Sequence, residues 1–219
     1  MNNVLITGAN RGIGLELCRQ LALRGEQVVA VCRKAGNKLL SLNLRVIEGV
    51  DVNDPESIGS LPAQLGEIKL DWLINNAGLL SVEGLESLDF EAMERQFRVN
   101  ALGPLRVTAA LLAKLGPGSK VGIITSRMGS VEDNTSGGYY GYRMSKAAVN
   151  MAGMSLARDL KERQIAVALL HPGMVATDMT GGRGVSPEHS ASGLIQRMDA
   201  LDMSLTGCFW HAEGEQLPW

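Results

Sequence analysis

Cysteine is scarce: Cys18, Cys32 and Cys208 are the only three in 219 residues. They are odd in number and widely separated, matching neither a disulfide framework nor a metal-ligand spacing, so a reducing, cytoplasmic setting and no metal site are expected. Long hydrophobic runs are lacking too. No apolar stretch approaches the ~20 residues needed to cross a bilayer, and only Met1, Asn2 and Asn3 precede the first apolar run, so neither membrane insertion nor export is expected. An excess of one charge is also missing. The net charge is -2 and the basic residues are scattered, which argues against nucleic acid as the main partner. No repeat, linker or low-complexity tract divides the chain, so residues 1–219 are expected to form one domain with a substantial core. A small-molecule ligand is the partner class left standing.

Short apolar runs at Val4–Thr7, Val28–Cys32, Arg45–Val50, Trp72–Asn75, Val121–Thr125, Ile165–Leu170 and Gly207–Trp210 have the length of buried strands. The intervals mostly have room for helices. That alternation predicts right-handed crossovers and a doubly wound, parallel seven-stranded α/β sheet with helices on both faces. The crossover after Arg33 is short and contains Gly36, so its helix should be about two turns or less. A long helix is expected between Leu88 and Leu115, kinked or capped at Gly103-Pro104, and another from Tyr142 to Arg163. Thr180–Gly184 reads as a loop, with a helix start at Ser186-Pro187-Glu188; residues 178–204 are the expected substrate loop or lid.

The unusual residues follow the strands. Gly8 comes after strand one, Asp51 after strand three, Asn76-Ala77-Gly78 after strand four, Ser126 after strand five and Pro172-Gly173 after strand six. Open parallel sheets bind ligands beyond the carboxyl ends of their strands, so these residues should converge on one site.

Gly8-Ala9-Asn10-Arg11-Gly12-Ile13-Gly14 turns from strand one into an apolar-periodic helix marked by Leu15, Leu17 and Leu21. Glycines let backbone approach phosphate, and a helix amino terminus offers free N–H groups with roughly half a positive charge, suited to a pyrophosphate. A glycine turn alone also serves plain backbone geometry; the strand-turn-helix setting is what makes it a dinucleotide motif. At the end of strand two, where an acid would bond the ribose 2′-hydroxyl of NAD, the chain reads Val31-Cys32-Arg33-Lys34. No carboxylate stands there. Arg33, with Arg11, is instead suited to clamp a 2′-phosphate, which predicts NADP(H). Asp51-Val52 is a candidate for the adenine amino group, with a helix-start role near Asn53 and Asp54 as the competing use. Paired amides in Asn75-Asn76-Ala77-Gly78 can brace backbone and ligand together, and Asn76 is the first candidate for cofactor contact.

Tyr142 and Lys146 lie one helical turn apart, so a phenol and an ammonium share one face of a helix. A neighbouring cation favours phenolate and should bring a phenol, ordinarily of pKa about 10, toward use as an acid near neutrality. Tyr139 and Tyr140 compete for that role, but neither has a lysine four residues later. Ser130 competes with Ser126, which directly follows strand five. His171 lacks a partner at metal-ligand spacing and reads as structural, with His189 and His211 blander still.

With these motifs assembled, the chain resembles the short-chain dehydrogenase/reductase family over essentially its full length, most closely its small carbonyl-reductase and C-factor-like branch. The likeness rests on Thr7-Gly8 through Gly14, Asn75 through Gly78, Asn100 and Tyr142 through Lys146, together with Pro172-Gly173, Val175 and Thr177, which match the segment that closes over the nicotinamide in that family. The resemblance implies a catalytic tetrad. In it Ser126 orients the substrate carbonyl, Tyr142 donates the proton as hydride reaches carbon, Lys146 bonds the nicotinamide ribose and lowers the Tyr142 pKa, and Asn100 holds a water in a proton relay. It implies an NADPH-dependent reductase of a ketone, aldehyde or quinone. Two departures stand out: the Ser126-to-Tyr142 distance is longer than the commonest family spacing, and little chain lies between Thr177 and strand seven. The second points to broad selectivity. Leu79, Leu80, Met128, Val131 and Met174 suggest an apolar substrate, and a leftover apolar stripe on the catalytic helix suggests a homo-oligomer, dimer or tetramer. Two other uses stay open: an NADP(H)-sensing interaction protein, and reduction of a carrier-linked ketoacyl group. Few cations other than Arg183 and Arg197 lie between Met174 and Gly207 to dock such a carrier.

Overall fold

The computed structural model describes residues 1–219 as one seven-stranded, all-parallel sheet. Its strands are β1 Asn3–Thr7, β2 Gln27–Val31, β3 Arg45–Ile47, β4 Leu70–Asn75, β5 Leu115–Ile124, β6 Ala166–His171 and β7 Cys208–His211. They lie in the order β3-β2-β1-β4-β5-β6-β7, so the winding direction reverses between β1 and β4. There the crossovers leave in opposite directions and open a crevice at the carboxyl ends.

Period-two alternation divides the core into two layers. Val4 and Ile6 of β1 face one side, with Leu17, Cys18 and Leu21 of α1 (Gly12–Leu23) and Ala191, Leu194, Ile195 and Met198 of α8 (Pro187–Ala200). Leu5, Val29, Leu73, Val121 and Val167 face the other. The helices on that side are α3 (Pro55–Gly59), α4 (Leu61–Leu65), α6 (Gly103–Ala110) and α7 (Tyr140–Asp159). Because helices cover both faces, β6 is buried at every residue and reads as a continuous apolar run ending in His171. The crossover after β2 holds only the single turn α2 (Asn37–Leu40), as its shortness predicted.

The helix expected from Leu88 to Leu115 is interrupted. It forms α5 (Phe90–Phe97), a widened π turn over Arg98–Leu102, and α6, which restarts at Gly103. Pro104 has no N–H and fits only in a first turn, so it accompanies the restart. A Cβ on Gly103 would press on Val52. The helix expected from Tyr142 to Arg163 is α7, which runs from Tyr140 to Asp159. Residues 178–204 divide: α8 is packed against α1 and the sheet as a core layer, and the segment before it reaches the glycine turn through Asp178, 3.2 Å from Arg11. No helix is long and apolar enough to cross a membrane.

Candidate active site

The glycine turn is held shut by close backbone contacts. A Cβ on Gly14 would collide with the Gly8 carbonyl oxygen and the Asn76 amide, and one on Gly8, whose φ is 66°, would lie 2.8 Å from the Ala77 Cα. Only glycine fits at either place. The Asn76 side chain braces this turn, its Nδ2 donating to the Thr7 carbonyl at 3.0 Å and the Gly8 carbonyl at 3.2 Å. Thr7 Oγ1 in turn accepts from the backbone N–H groups of Asn76 and Ala77, each at 3.1 Å. So the Asn76 side chain ties the end of β4 to the glycine turn. Thr7 supplies half of that brace, a role without a sequence signal of its own. Asn10 and Ile13 stand in the turn half-buried, with Ile13 packed against the α1 core.

At the adenosine end, Arg33 and Arg11 are both well exposed. Arg33 Nη1 is 4.0 Å from Asp51 Oδ2, and Arg11 Nη1 is 3.2 Å from Asp178 Oδ2. Exposed pairs of this kind are worth ~0–1 kcal/mol, so either guanidinium is free to turn to a phosphate. Asp51 Oδ1 accepts from the Asn53 N–H at 2.8 Å, while Asp54 caps α3 through the N–H groups of Glu56 and Ser57. Of the two uses considered for this segment, the helix cap falls to Asp54. Val52 is buried against Gly103.

The segment after β6 bends over the turn. Gly173 has φ 83°, and Val175 bridges Val185, with the Ala176 N–H donating to the Val185 carbonyl and the Val185 N–H to the Met174 carbonyl, both at 2.8 Å. This clip follows Pro172 and brings the Thr177 methyl against Gly12, where an added Cβ would sit 3.2 Å away. Of the residues expected to flank the nicotinamide, Thr177 is thus the one that meets the glycine turn.

On the other wall, Ser126 lies two residues past β5, buried, with its Oγ accepting from the Met128 N–H at 3.1 Å. Ser130 is engaged elsewhere: its Oγ donates to the Trp219 carbonyl and accepts from the Asp133 N–H, both at 3.0 Å. Lys146 is buried, donates from Nζ to the Ile124 carbonyl at 2.9 Å, and stands 5.6 Å from the centroid of the Tyr142 ring. A Cβ on Gly78 would lie 3.3 Å from Asn100 Oδ1 and 3.8 Å from Lys146 Nζ, so the Asn-Asn-Ala-Gly turn and the lysine face each other.

Two details depart from the sequence expectation. Burial pushes the Tyr142 phenol up to about 12, although a hydrogen bond with Ser126 works in the opposite direction; burial also pulls Lys146 down to about 8. The lysine does not lower the phenol pKa below its ordinary value here, because removal from water penalises both charged forms more than their separation repays. The Asn100 side chain, within the π turn, is committed to protein. Its Oδ1 accepts from the Leu79 N–H, and its Nδ2 donates to the Leu79 carbonyl, both at 2.8 Å, and to Ser145 Oγ at 3.0 Å. It pins the loop after β4. His171 is buried, edge-on to His211 with ring centroids 4.9 Å apart, and burial first and then His211 lower its pKa to about 3. It is neutral and structural. Among all residues no group of three or more His, Cys, Asp or Glu is placed to hold a metal ion.

Comparison with known proteins agrees with this geometry. Residues 2–186 match the short chain dehydrogenase family model, and the chain belongs to that family. It is 45% identical over 226 residues to 1-hydroxy-2-glutathionyl-2-methyl-3-butene dehydrogenase of a Rhodococcus species, with 100% of each chain covered. It is 46% identical over 154 residues to C-signal of Myxococcus xanthus, covering 68% of this chain and 93% of that one. Among solved structures, NADPH-bound carbonyl reductase from chicken fatty liver superposes with a TM-score of 0.91 at 30% identity, covering 100% of this chain and 99% of the other.

Proposed function

We propose that this dehydrogenase/reductase is NADP(H)-dependent and reduces the carbonyl of a ketone, aldehyde or quinone, with Tyr142 as general acid. The observation that carries the reading is the meeting of Ser126, Tyr142 and Lys146 on one wall of the crevice, opposite a glycine turn that admits no Cβ. That turn fits a dinucleotide, since glycines at 8 and 14 let it close tightly against Ala77 and Asn76 and lead straight into the amino end of α1, whose free N–H groups suit a pyrophosphate. Gly8, Asn10, Arg11, Gly12, Ile13 and Gly14 would hold the phosphates, with Asp51, Val52, Asn76, Ala77 and Gly78 along the middle of the crevice. Pro172, Gly173, Val175 and Thr177 would flank the nicotinamide. Arg33 and Arg11 would take the 2′-phosphate, and the chicken enzyme's NADPH supports that preference.

When bound, the nicotinamide supplies the hydride. The chain's own residues do the rest. The Ser126 hydroxyl donates to the substrate oxygen and fixes its distance from Tyr142. Tyr142 delivers its proton to that oxygen as negative charge develops there. Lys146, buried and cationic near neutrality, sets the field around the phenol. Asn100 keeps Leu79 in place at the rim, where Leu80, Met128, Val131 and Met174 offer apolar contact. The same groups run the reverse reaction on an alcohol, as the name of the Rhodococcus relative implies for that protein. The segment 178–186 is the natural cover for this mouth. Exposed Phe90 and Phe97 of α5 and Met144 and Met151 of α7 form the face on which a second copy would sit.

The test is absorbance at the nicotinamide band with NADPH or NADH and a panel of ketones, aldehydes, quinones and ketoacyl esters. NADPH consumption in the unaltered chain, and its loss by at least ~10²-fold in Tyr142→Phe with NADPH still bound, is the expected result. Near-normal turnover in that variant would remove Tyr142 as the acid. The likeness to C-signal favours one second reading, a dinucleotide-sensing interaction protein. It predicts NADPH binding with no turnover across the panel.

A further inference from the structure

We propose that Glu83 is a positioning residue for catalysis: its buried carboxylate fixes the first turn of α7, from which Tyr142 projects. The proposal rests on Tyr142 being the proton donor.

Glu83 lies in the loop after β4 and is only 2% exposed. Its Oε1 accepts from Ser81 Oγ and, at 3.0 Å, from Gln96 Nε2 of α5; its Oε2 accepts from the Gly141 N–H of α7 at 3.3 Å. Its backbone carbonyl accepts from the Tyr139 N–H at 2.9 Å. No lysine or arginine pairs with it, so the positive end of the 20-residue α7 and three neutral donors balance the charge.

The turn it holds is strained. Gly137, Gly138 and Tyr139 are consecutive left-handed residues with φ of 64°, 63° and 53°, and Tyr139 is the residue before α7, which has no capping side chain of its own. Such a conformation at a tyrosine persists only where surroundings enforce it. Glu83 enforces it twice, through its carbonyl on Tyr139 and its carboxylate on Gly141. Gly141 is also pressed against Met93 and Gln96, where no Cβ would fit. Gln96 is fully buried and accepts from the Ser81 N–H at 3.1 Å, so the substrate-side loop, α5 and the start of α7 share one polar network.

The rest of α7 is anchored independently. Val149, Gly153 and Ala157 pack its middle on the sheet, and Lys146 is fixed by the Ile124 carbonyl. Loss of the Glu83 charge should therefore shift Tyr142 while leaving the helix and the lysine in place.

The experiment compares Glu83→Gln with the unaltered full chain. The expected result is a kcat lowered about tenfold, near the worth of one hydrogen bond to a charged group, with NADPH Kd and carbonyl KM within about twofold. In the Tyr142→Phe background the same change should slow residual turnover no further, because both act at one step. An unchanged kcat in Glu83→Gln overturns the proposal, as does a parallel loss of kcat and NADPH affinity. If Glu83→Gln does not fold, Ser81→Ala removes one donor and should lower kcat about threefold with Kd unchanged; no change there overturns it too. Retained turnover in Tyr142→Phe alone would remove the acid assignment, whereas an inactive Tyr142→Phe beside an unaffected Glu83→Gln would remove only the role of Glu83.

Discussion

The Lys146 ammonium lies 5.6 Å from the centroid of the Tyr142 ring, yet the two groups shift in opposite directions: the lysine down to about 8 and the phenol up to about 12, both through burial. Across the neutral range the phenol therefore keeps its proton, as a donor in reduction must. The charge that changes first on raising pH is that of Lys146. Reductase kcat/KM should accordingly show a basic limb near pH 8. A profile flat from about pH 7 to 10 would mean that the lysine charge does not matter to the step.

The same burial links Lys146 to stability. Its folded-state pKa of about 8 lies below its ordinary 10.5, so between those values the unfolded chain binds more protons. Stability then rises with pH across that window, and the penalty of the buried cation is fully present below it. Tyr142 works the other way above its ordinary 10.0, since the folded chain then holds the extra proton up to about 12. Urea unfolding at about pH 7 and 8.5, below the range where the buried Cys18 thiol acts in the opposite sense, should give a higher midpoint at the second pH, and Lys146→Met should shrink that difference. An equal difference in the variant would assign the effect to other groups.

Much of this was legible in the sequence because it depends on local pattern. Apolar runs located every strand, and the glycine turn and the Tyr142–Lys146 spacing placed both walls of the crevice. What remained hidden depends on partners far apart in the chain. The grip of Asn76 on Thr7 and Gly8 is one such pairing, since it joins residues nearly 70 positions apart. Ser130 competes with Ser126 until Trp219, 89 residues away, takes its hydroxyl. The burial that raises the phenol is hidden for a related reason, since spacing reports proximity but not desolvation. Glu83 carries no signal, being one acid among several in a loop of mixed composition, and α8 reads as part of a lid because its partners in α1 and the sheet are distant in the chain.

Gly14→Ala tests the glycine turn. The added methyl would meet the Gly8 carbonyl and the Asn76 amide, neither of which can move without opening the brace. The variant should lose about 1–3 kcal/mol of stability and bind NADPH at least tenfold more weakly. Gly36→Ala is the control: nothing lies within 4 Å of its Cβ position, so thermal unfolding and NADPH titration should be nearly unchanged. Equal behaviour of the two variants would refute close packing as the reason for Gly14.

Arg33→Ala addresses cofactor choice. The arginine is exposed and only 4.0 Å from Asp51, so its removal disturbs little of the folded chain. If it clamps the 2′-phosphate, NADPH affinity should fall about tenfold or more and NADH affinity should hold, the loss matching a charge-assisted hydrogen bond of about 1.5–3 kcal/mol. Titration of both cofactors by quenching of protein fluorescence measures the ratio. A ratio left unaltered would transfer the phosphate to Arg11, whose Asp178 partner could be displaced as readily.

Asn100→Ala separates the loop-pinning role from any part in proton relay. The side chain satisfies both backbone groups of Leu79 and reaches Ser145 Oγ, with Asn100 itself fully buried in the π turn. Removing it leaves the Leu79 N–H and carbonyl without their partner, which should destabilise the chain by about 2 kcal/mol and loosen the rim beside the substrate. Asn100→Asp is the sharper comparison. It keeps an acceptor for the Leu79 N–H but sets a second oxygen against the Leu79 carbonyl, so it should be no more stable than the alanine variant. If both variants match the unaltered chain in urea midpoint while kcat collapses, Asn100 acts on protons and not on Leu79. A midpoint that falls, together with raised carbonyl KM and faster amide exchange at Leu79, would place its contribution in the shape of the pocket wall.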